Sequence, residues 1–384
     1  MSVLRIGLLG ASRIAPRAVL APAAKREDVQ VTVISARDRE RASTYAKTYG
    51  VPEIAPDYSA LIGWGELDLI YNALPAAFHC EWTIAALEAG KHVLCEKPLA
   101  NTVAEAEAMA EAAAKAAARG VRSMVGFTYR RVPAIGLARQ LVAEGRLGQI
   151  RHVRAQYLQD WIADPTAPMS WRLDKDKAGS GALGDIGAHI VDLTQHITGQ
   201  TLTGVSALLE TFVTERPLPA AAGSLAGVAG EGTGAVTVDD AAVFIGRFSG
   251  GALASFEATR FALGRKNAIR IEINGSRGSL AFDFEDMNVL HFFDGDEPDE
   301  TAGFRRIVVT EPGHPYVGAW WPAGHGLGYE HGFTHQVVDL VTAIAENTDP
   351  APSFADGLQV QRVLDAVERS AADSSRWTDI PGEI

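Results

Sequence analysis

The stretch Leu4-Arg5-Ile6-Gly7-Leu8-Leu9-Gly10-Ala11-Ser12-Arg13-Ile14-Ala15 decides the fold. Its apolar first half reads as a buried strand. Gly10, Ser12 and Ala15 then follow as small residues at the spacing of a strand-to-helix turn whose backbone amides approach a pyrophosphate. The positive end of the helix that such a turn opens favours the same anion. Ser12 stands where the second glycine usually is, so the motif alone fits a plain tight turn equally well. If the turn is a dinucleotide site, Gly10, Ser12, Arg13 and Ile14 are its expected contacts.

Working outward, β-like runs at Val29 to Ser35, Leu67 to Ala73, His92 to Cys95 and Arg122 to Phe127 alternate with helical stretches at Arg39 to Tyr49, Trp82 to Ala89 and Val103 to Arg119. Alternation of this kind predicts a parallel, doubly wound α/β sheet covered on both faces. Gly50, Gly90 and Gly120 each follow a helix where a left-handed residue ends it at low cost. Beyond Gly148 the pattern becomes period-2: Ile150 to Trp161, Thr203 to Thr214, Ala241 to Phe248, Ala252 to Arg260, Ile269 to Asn274 and Gly278 to Phe284. Strands so closely spaced predict an open, mostly antiparallel sheet in an α+β domain. Helices at Ile186 to Thr198, Phe333 to Glu346 and Asp356 to Ala371 are expected against one face of it. The Ala/Gly-rich Pro217 to Gly234 reads as a mobile excursion. The expected domains are 1–127 for the dinucleotide and 128–384 for substrate and oligomer contacts.

A chain of 384 residues with 47% hydrophobic and 21% charged residues has the composition of two globular domains. A net charge of -12 with scattered Lys and Arg excludes a polyphosphate partner, so no nucleic acid is expected. No apolar run reaches the roughly 18 residues of a membrane span, and the first one is too short for a signal peptide. Cys80 and Cys95 sit in apolar segments and read as two reduced thiols, so a cytoplasmic location is expected. His331 and His335 are four apart, with His314 and His325 nearby, but no cysteine joins them, and no metal is expected.

Position 36, after the second strand, is Ala36 where an NAD enzyme usually carries a ribose-binding carboxylate. Arg37 and Ser35 are then available to a 2'-phosphate through charge-assisted hydrogen bonds, and NADP is expected in preference to NAD. Arg37 on its own reads equally as a solvated surface residue.

Three polar residues carry the chemistry: Lys97 after the strand ending at Cys95, and Asp185 with His189, which share one face at the start of a helix. Oxidation of an alcohol needs a group to take the hydroxyl proton as hydride leaves, and an imidazole suits the task. A lysine at the carboxyl end of a parallel strand sits where open sheets bind ligands, and its cation stabilises a developing alkoxide. Alone, an Asp/His pair four apart is more often a capped helix start, and a Lys-Pro after a strand more often a turn. Their joint occurrence in this order sets them apart.

The turn from Gly7 to Ala15, Asn72-Ala73-Leu74-Pro75 with His79, Ala89 to Val93 leading to Glu96-Lys97-Pro98, Tyr129-Arg130, and Gly179 to Asp192 together resemble the glucose-fructose oxidoreductase, inositol dehydrogenase and rhizopine-catabolism family, Gfo/Idh/MocA. The likeness spans essentially the whole chain. It implies an NAD(P)-dependent dehydrogenase with Lys97, Asp185 and His189 as catalytic group. It also implies a nicotinamide near Leu74, Pro75, His79, Glu96, Lys97 and Pro98, a Lys97-Pro98 bond that is often cis, and a homodimer or homotetramer. In the second half, Tyr157 to Trp161, Ser170-Trp171-Arg172 and Glu257 to Arg260 resemble the levoglucosan-dehydrogenase branch, which oxidises C3 of a pyranose. By that resemblance Tyr129, Gln159, Trp161 and Arg172 line a sugar pocket together with Lys97, Asp185 and His189. The first half, at Ala11 to Pro16 and Ser35 to Asp38, is more similar to the NADP-dependent dihydrodiol-dehydrogenase side. The expected activity is reversible oxidation of a secondary hydroxyl on a sugar, anhydrosugar or cyclitol. Two other readings fit the same residues: an enzyme that recycles its nicotinamide while cleaving a glycosidic bond, and a non-catalytic NAD(P)-binding sensor.

Overall fold

Leu4–Leu9 is a strand, β1, because Ile6, Leu8 and Leu9 fill a sheet interior with almost no exposed surface. A computed structural model describes residues 3–220 and 229–382. The chain divides into one unit of residues 1–128 and 329–361 and a second of 129–328 and 362–384.

In the first unit β1 pairs in parallel with β2 (Val29–Ser35) on one side and β4 (Leu69–Asn72) on the other. With β3 (Glu53–Ile54), β5 (His92–Cys95) and β6 (Ser123–Val125), the order is β3-β2-β1-β4-β5-β6, all parallel. This is the doubly wound order, and the sequence of strands reverses beside the carboxyl end of β1, where Gly10 lies. Gly50, Gly90 and Gly120 have φ of 70°, 78° and 81°, the left-handed helix ends expected of them. The helix Tyr329–Glu346 departs from expectation. It lies against the parallel sheet's core, where Phe333, Val337, Leu340 and Val341 pack with Ile6, Leu8, Ala18 and Val19. Its apolar stripe is what any covering helix needs, and such a stripe does not name the sheet it will cover.

The second unit holds a nine-stranded sheet. Its strands are β7 (Ile150–Leu158), β8 (Leu202–Glu210), β11 (Ala241–Phe248), β12 (Leu253–Thr259), β13 (Ala268–Gly275), β14 (Gly278–Asp283), β15 (Val289–Asp294), β16 (Arg305–Val308) and β17 (Thr378–Asp379). The order is β16-β15-β14-β13-β7-β12-β11-β8-β17, antiparallel except for the parallel β7/β12 pair. Along β11 the alternation is complete: Ala242, Phe244 and Phe248 are buried while Val243 and Ile245 are about half exposed, at 51% and 55%. The buried face carries the helix Ala188–Thr198, the helix Pro133–Ala143, which the sequence reading did not single out, and the end of Phe354–Ala372, where Ser370 accepts from the Ala207 amide at 3.0 Å.

The stretch read as a mobile excursion is a two-stranded antiparallel hairpin, β9 (Glu215–Pro219) with β10 (Ala229–Ala235); residues 221–228 lie outside the described ones. Buried Arg216 fastens it, donating to the carbonyls of Ile162 and Asp164 at 2.7 Å each. One strand carries two prolines and the other is mostly glycine and alanine, so neither shows a strand's side-chain period in the sequence.

Gly181, at the edge of the sheet's helical layer, is the tightest point of this unit: a Cβ there would lie 1.7 Å from the Asp239 carbonyl oxygen. The nearest obstructing atoms are backbone, the Asp239 carbonyl, so no side chain can swing aside to make room. G181A is expected to cost about 3 kcal/mol. G65A, at an exposed turn with nothing within 4 Å of the added carbon, is expected to be near neutral. Urea unfolding of the two variants checks this, and equal midpoints contradict it.

Candidate functional site

The turn after β1 is built by a glycine that its backbone angle requires. Gly10 has φ +85°, and a Cβ on it would lie 2.8 Å from the Leu74 side chain. Its amide donates to the Ser35 carbonyl at 2.8 Å, which ties the turn to β2. Ser12 Oγ accepts from the Ala15 amide at 3.3 Å. Two residues one turn apart on the helix Arg39–Tyr49 hold the loop from outside: Arg41 Nη2 donates to the Ala11 carbonyl at 2.9 Å, and Tyr45 Oη to the Ser12 carbonyl at 3.0 Å. Neither was legible in the sequence, where both read as ordinary helix-surface residues. With the carbonyls drawn outward, the cradle fits a dinucleotide pyrophosphate. Arg13 is exposed and Ile14 packs on the core.

At the end of β2, Ser35 is fully enclosed, and Ala36 packs on the core. The Arg37 guanidinium lies over the Phe78 ring, 5.7 Å from its centroid. The Asp38 carboxylate is committed to capping the next helix, accepting from the Arg41 amide at 3.0 Å. Asp38, the next carboxylate along the chain from Ala36, is therefore already engaged.

The loops after β4 and β5 are stapled together by His79, which is 1% exposed. Its Nε2 is 2.8 Å from the Leu74 carbonyl and its Nδ1 3.0 Å from that of Pro98. Burial pushes its pKa below the ordinary value, against the pull of those carbonyls. Buried Asn72 supports the same loop, donating to Thr83 Oγ at 3.0 Å. Glu96 accepts from Tyr71 Oη at 2.6 Å, and burial raises its pKa while the Tyr71 hydrogen bond and the Lys97 cation act in the opposite sense. Gly126 makes room for it, since a Cβ there would meet the Glu96 carboxylate at 3.0 Å. Lys97 and Pro98 are half-buried, and the bond between them is cis. Leu74, Pro75, His79, Glu96, Lys97 and Pro98 thus fall within one unit, with His79 acting as the staple.

In the second unit the Asp239 carboxylate organises the other chemistry-bearing turn. It accepts from the Gly181 amide at 2.7 Å and the Leu183 amide at 2.8 Å. Burial raises its pKa, and those two donors oppose the rise. Leu183–Gly187 is a π turn running into the helix Ala188–Thr198, so Asp185 sits on the first and His189 on the second. Wide turns of this kind recur at functional sites.

The His189 imidazole is 7% exposed and lies edge-on to Tyr129, 4.8 Å between centroids, with Tyr157 at 5.9 Å. Four polar groups close a circuit around these rings. Tyr129 Oη and Tyr157 Oη are 2.8 Å apart, and Tyr157 Oη donates to Asn267 Oδ1 at 2.6 Å. Asn267 Nδ2 donates to Tyr129 Oη at 3.2 Å, and Gln159 Nε2 to Asn267 Oδ1 at 2.9 Å. Tyr129 and Gln159, expected as sugar contacts, are therefore engaged in holding the imidazole's surroundings. Asn267 was missed, because a lone Asn in a turn carries no signal. Trp161 is half-buried beside Ile162, Val236 and Val238, and Arg172 lies on the Trp171 ring at 4.4 Å.

The late histidines have local partners. His314 Nδ1 accepts from the Glu311 amide at 3.0 Å, and His325 Nδ1 is 2.9 Å from the Pro322 carbonyl. Among the described residues no group of three or more His, Cys, Asp or Glu could hold a metal ion. Both cysteines are free thiols, and no described helix is long and apolar enough to cross a membrane.

These two turns have counterparts in known proteins. Residues 4–127 match a family model described as an oxidoreductase family with an NAD-binding Rossmann fold, and 135–281 match a GFO/IDH/MocA C-terminal domain. A levoglucosan dehydrogenase of Pseudarthrobacter phenanthrenivorans is 41% identical over 91% of this chain and 89% of its own. The crystal structure of an oxidoreductase domain protein from Kribbella flavida superposes with a TM-score of 0.93 at 63% identity over the whole of both chains. A levoglucosan dehydrogenase in complex with NADH and levoglucosan does so with a TM-score of 0.90 at 38% identity, again over both whole chains. With a glycine turn after its first strand, a π turn bearing Asp185 that runs into the helix bearing His189, and matches along its length, the chain belongs to the GFO/IDH/MocA family and is an NAD(P)-dependent dehydrogenase.

Proposed function

We propose that the protein reversibly oxidises a secondary hydroxyl of a sugar, anhydrosugar or cyclitol, with C3 of a pyranose as the favoured position. The observation that carries this reading is the enclosure of the His189 imidazole by Tyr129 and Tyr157 on the helix that Asp185's turn opens. The relative that is 41% identical is named for levoglucosan, an anhydropyranose. A neutral imidazole has one lone pair to receive the hydroxyl proton. His189 takes that proton as the C–H bond breaks, Asp185 orients and supports the imidazolium, and Lys97 polarises the oxygen that becomes a carbonyl. The nicotinamide, when bound, accepts the hydride at C4. Trp161 and Arg172 offer an apolar face and donors to the sugar, while Tyr129 and Gln159 contribute through the circuit that fixes the base.

The coenzyme reading deepens at β2. Arg37 faces no carboxylate from position 36, and Asp38 is spent on a helix cap, which supports a preference for NADP(H). Gly10, Ser12, Arg13 and Ile14 would hold the pyrophosphate, Arg37 and Ser35 the 2'-phosphate end, and Leu74, Pro75, Glu96 and Pro98 the nicotinamide end, with His79 fixing their loops. The outer sheet face exposes Leu208, Val243, Ile245 and Leu253 at 50% or more, which supports a homodimer or homotetramer formed through it. Two reduced cysteines fit a cytoplasmic setting.

H189A is expected to lower kcat by about a hundredfold to ten-thousandfold while leaving the Kd for the coenzyme within about twofold. Retained turnover in that variant removes the assignment. Wild-type enzyme is expected to show a higher kcat/KM with NADP+ than with NAD+, and R37A to raise the KM for NADP+ about tenfold with little change for NAD+. A tenfold preference of the wild type for NAD+ rejects the coenzyme reading.

A further inference from the structure

Arg260 follows β12 directly, and its side chain has no exposed surface. A guanidinium keeps its proton in a protein, so a full positive charge is enclosed here at a large desolvation cost unless its neighbours compensate. Those neighbours are one carbonyl, one ring and three carboxylates. Nη2 donates to the Asp239 carbonyl at 3.1 Å, and the guanidinium lies 5.5 Å from the centroid of the Trp161 ring. Asp239 and Asp240, just before β11, both feel the Arg260 charge, and a second cation, Arg216, acts on Asp240.

Two of the three carboxylates are already claimed by backbone donors. Asp239 serves Gly181 and Leu183, and Asp240 accepts from Phe212 at 2.9 Å and Val213 at 3.1 Å. The third is Asp185, whose Oδ2 lies 3.8 Å from Arg260 Nη1, inside ion-pair range and outside hydrogen-bond range. Its side chain is 26% exposed against 0% for Arg260, so it is the member of the cluster that reaches the surface. Nε and Nη1 of Arg260 are buried without a hydrogen-bond acceptor among the described residues, which leaves their charge to act through space.

We propose that Arg260 is a positioning residue for the reaction: its buried guanidinium holds the Asp185 carboxylate ionised and oriented on the π turn without touching substrate or coenzyme. This rests on the reading of Asp185 and His189 as the acid/base pair. Two other segments fix the guanidinium itself, the one just before β11 with Asp239 and Asp240 and the one after β7 with Trp161. Arg260 is the cation set against Asp185 from the sheet side, and His189 follows one turn on along the chain. The Arg260 charge cannot be titrated away near neutral pH.

The test uses the full-length enzyme as R260Q, R260K, D185N and the double variant D185N/R260Q, with levoglucosan as probe substrate. R260Q is expected to lower kcat about a hundredfold with little change in KM, and R260K, which keeps the charge, to lose less. In the D185N background R260Q is expected to add less than about twofold, because the two groups act as a unit. In parallel, 13C NMR of protein labelled at aspartate carboxyl carbons follows Asp185, its signal identified by its loss in D185N. Loss of a neighbouring cation disfavours the ionised form, so the Asp185 signal is expected to titrate at higher pH in R260Q than in the wild type, with R260K close to the wild type. Identical titrations in all three overturn the proposal, as does a full independent loss from R260Q on top of D185N. Undiminished turnover by D185N would instead overturn the acid/base reading and leave the NMR result standing. The NMR arm needs no turnover and decides the positioning on its own, and R260K guards against a folding defect in R260Q.

Discussion

Backbone meets backbone at Gly181 with no room for a single methyl group, and the second unit's chemistry depends on that approach. Because the Asp239 carbonyl lies where a Cβ would be, the Asp239 carboxylate can receive the amides of Gly181 and Leu183 together. Those bonds satisfy donors that a helix start would otherwise leave open. The chain then has a fixed point from which to enter the π turn of Leu183–Gly187, and the side chains at positions 185 and 189 inherit their directions from it. A rigid start of this kind holds a side chain more closely than a loop does.

The same economy of glycine appears at the other turn. Gly10 combines a left-handed φ with contact against Leu74, so the turn after β1 and the loop that carries Pro75 pack on each other. His79 then ties that second loop to the one after β5. In both units these turns are held by buried polar groups hydrogen-bonded to backbone, which are costly to assemble and give few alternative arrangements. The circuit of Tyr129, Tyr157, Asn267 and Gln159 follows this rule: each group's bond requires the next, and the His189 ring has two phenol rings beside it.

Much of this was legible in the chain. β1, β2, β5 and β11 have the bounds read from their apolar runs, and the glycines at 50, 90 and 120 close helices as their spacing implied. Short strands and long-range partners were not legible. Val289–Asp294 and Arg305–Val308 add the outer strands, but Arg305 and Arg306 face solvent on an edge and dilute the alternation. Where Tyr329–Glu346 packs depended on which sheet had an open face, a property of the assembled fold and not of the helix. Among the proposed site residues, Lys97, Asp185 and His189 stood out in the sequence because their residue types are chemically distinctive. Arg41, Tyr45, Asn267 and Arg260 act on backbone or on other side chains, and residues of that kind look ordinary until their neighbours are known.

The central claim is that the imidazole of His189, the carboxylate of Asp185 and the ammonium of Lys97 serve one reacting hydroxyl. A crystal structure with oxidised coenzyme and the pyranose it turns over fastest measures this most directly. The account predicts the reacting oxygen within hydrogen-bond reach of His189 Nε2 or Nδ1 and of Lys97 Nζ, with the carbinol hydrogen directed at C4 of the nicotinamide. A sugar bound with its hydroxyls turned away from His189, or with that hydrogen remote from C4, contradicts it.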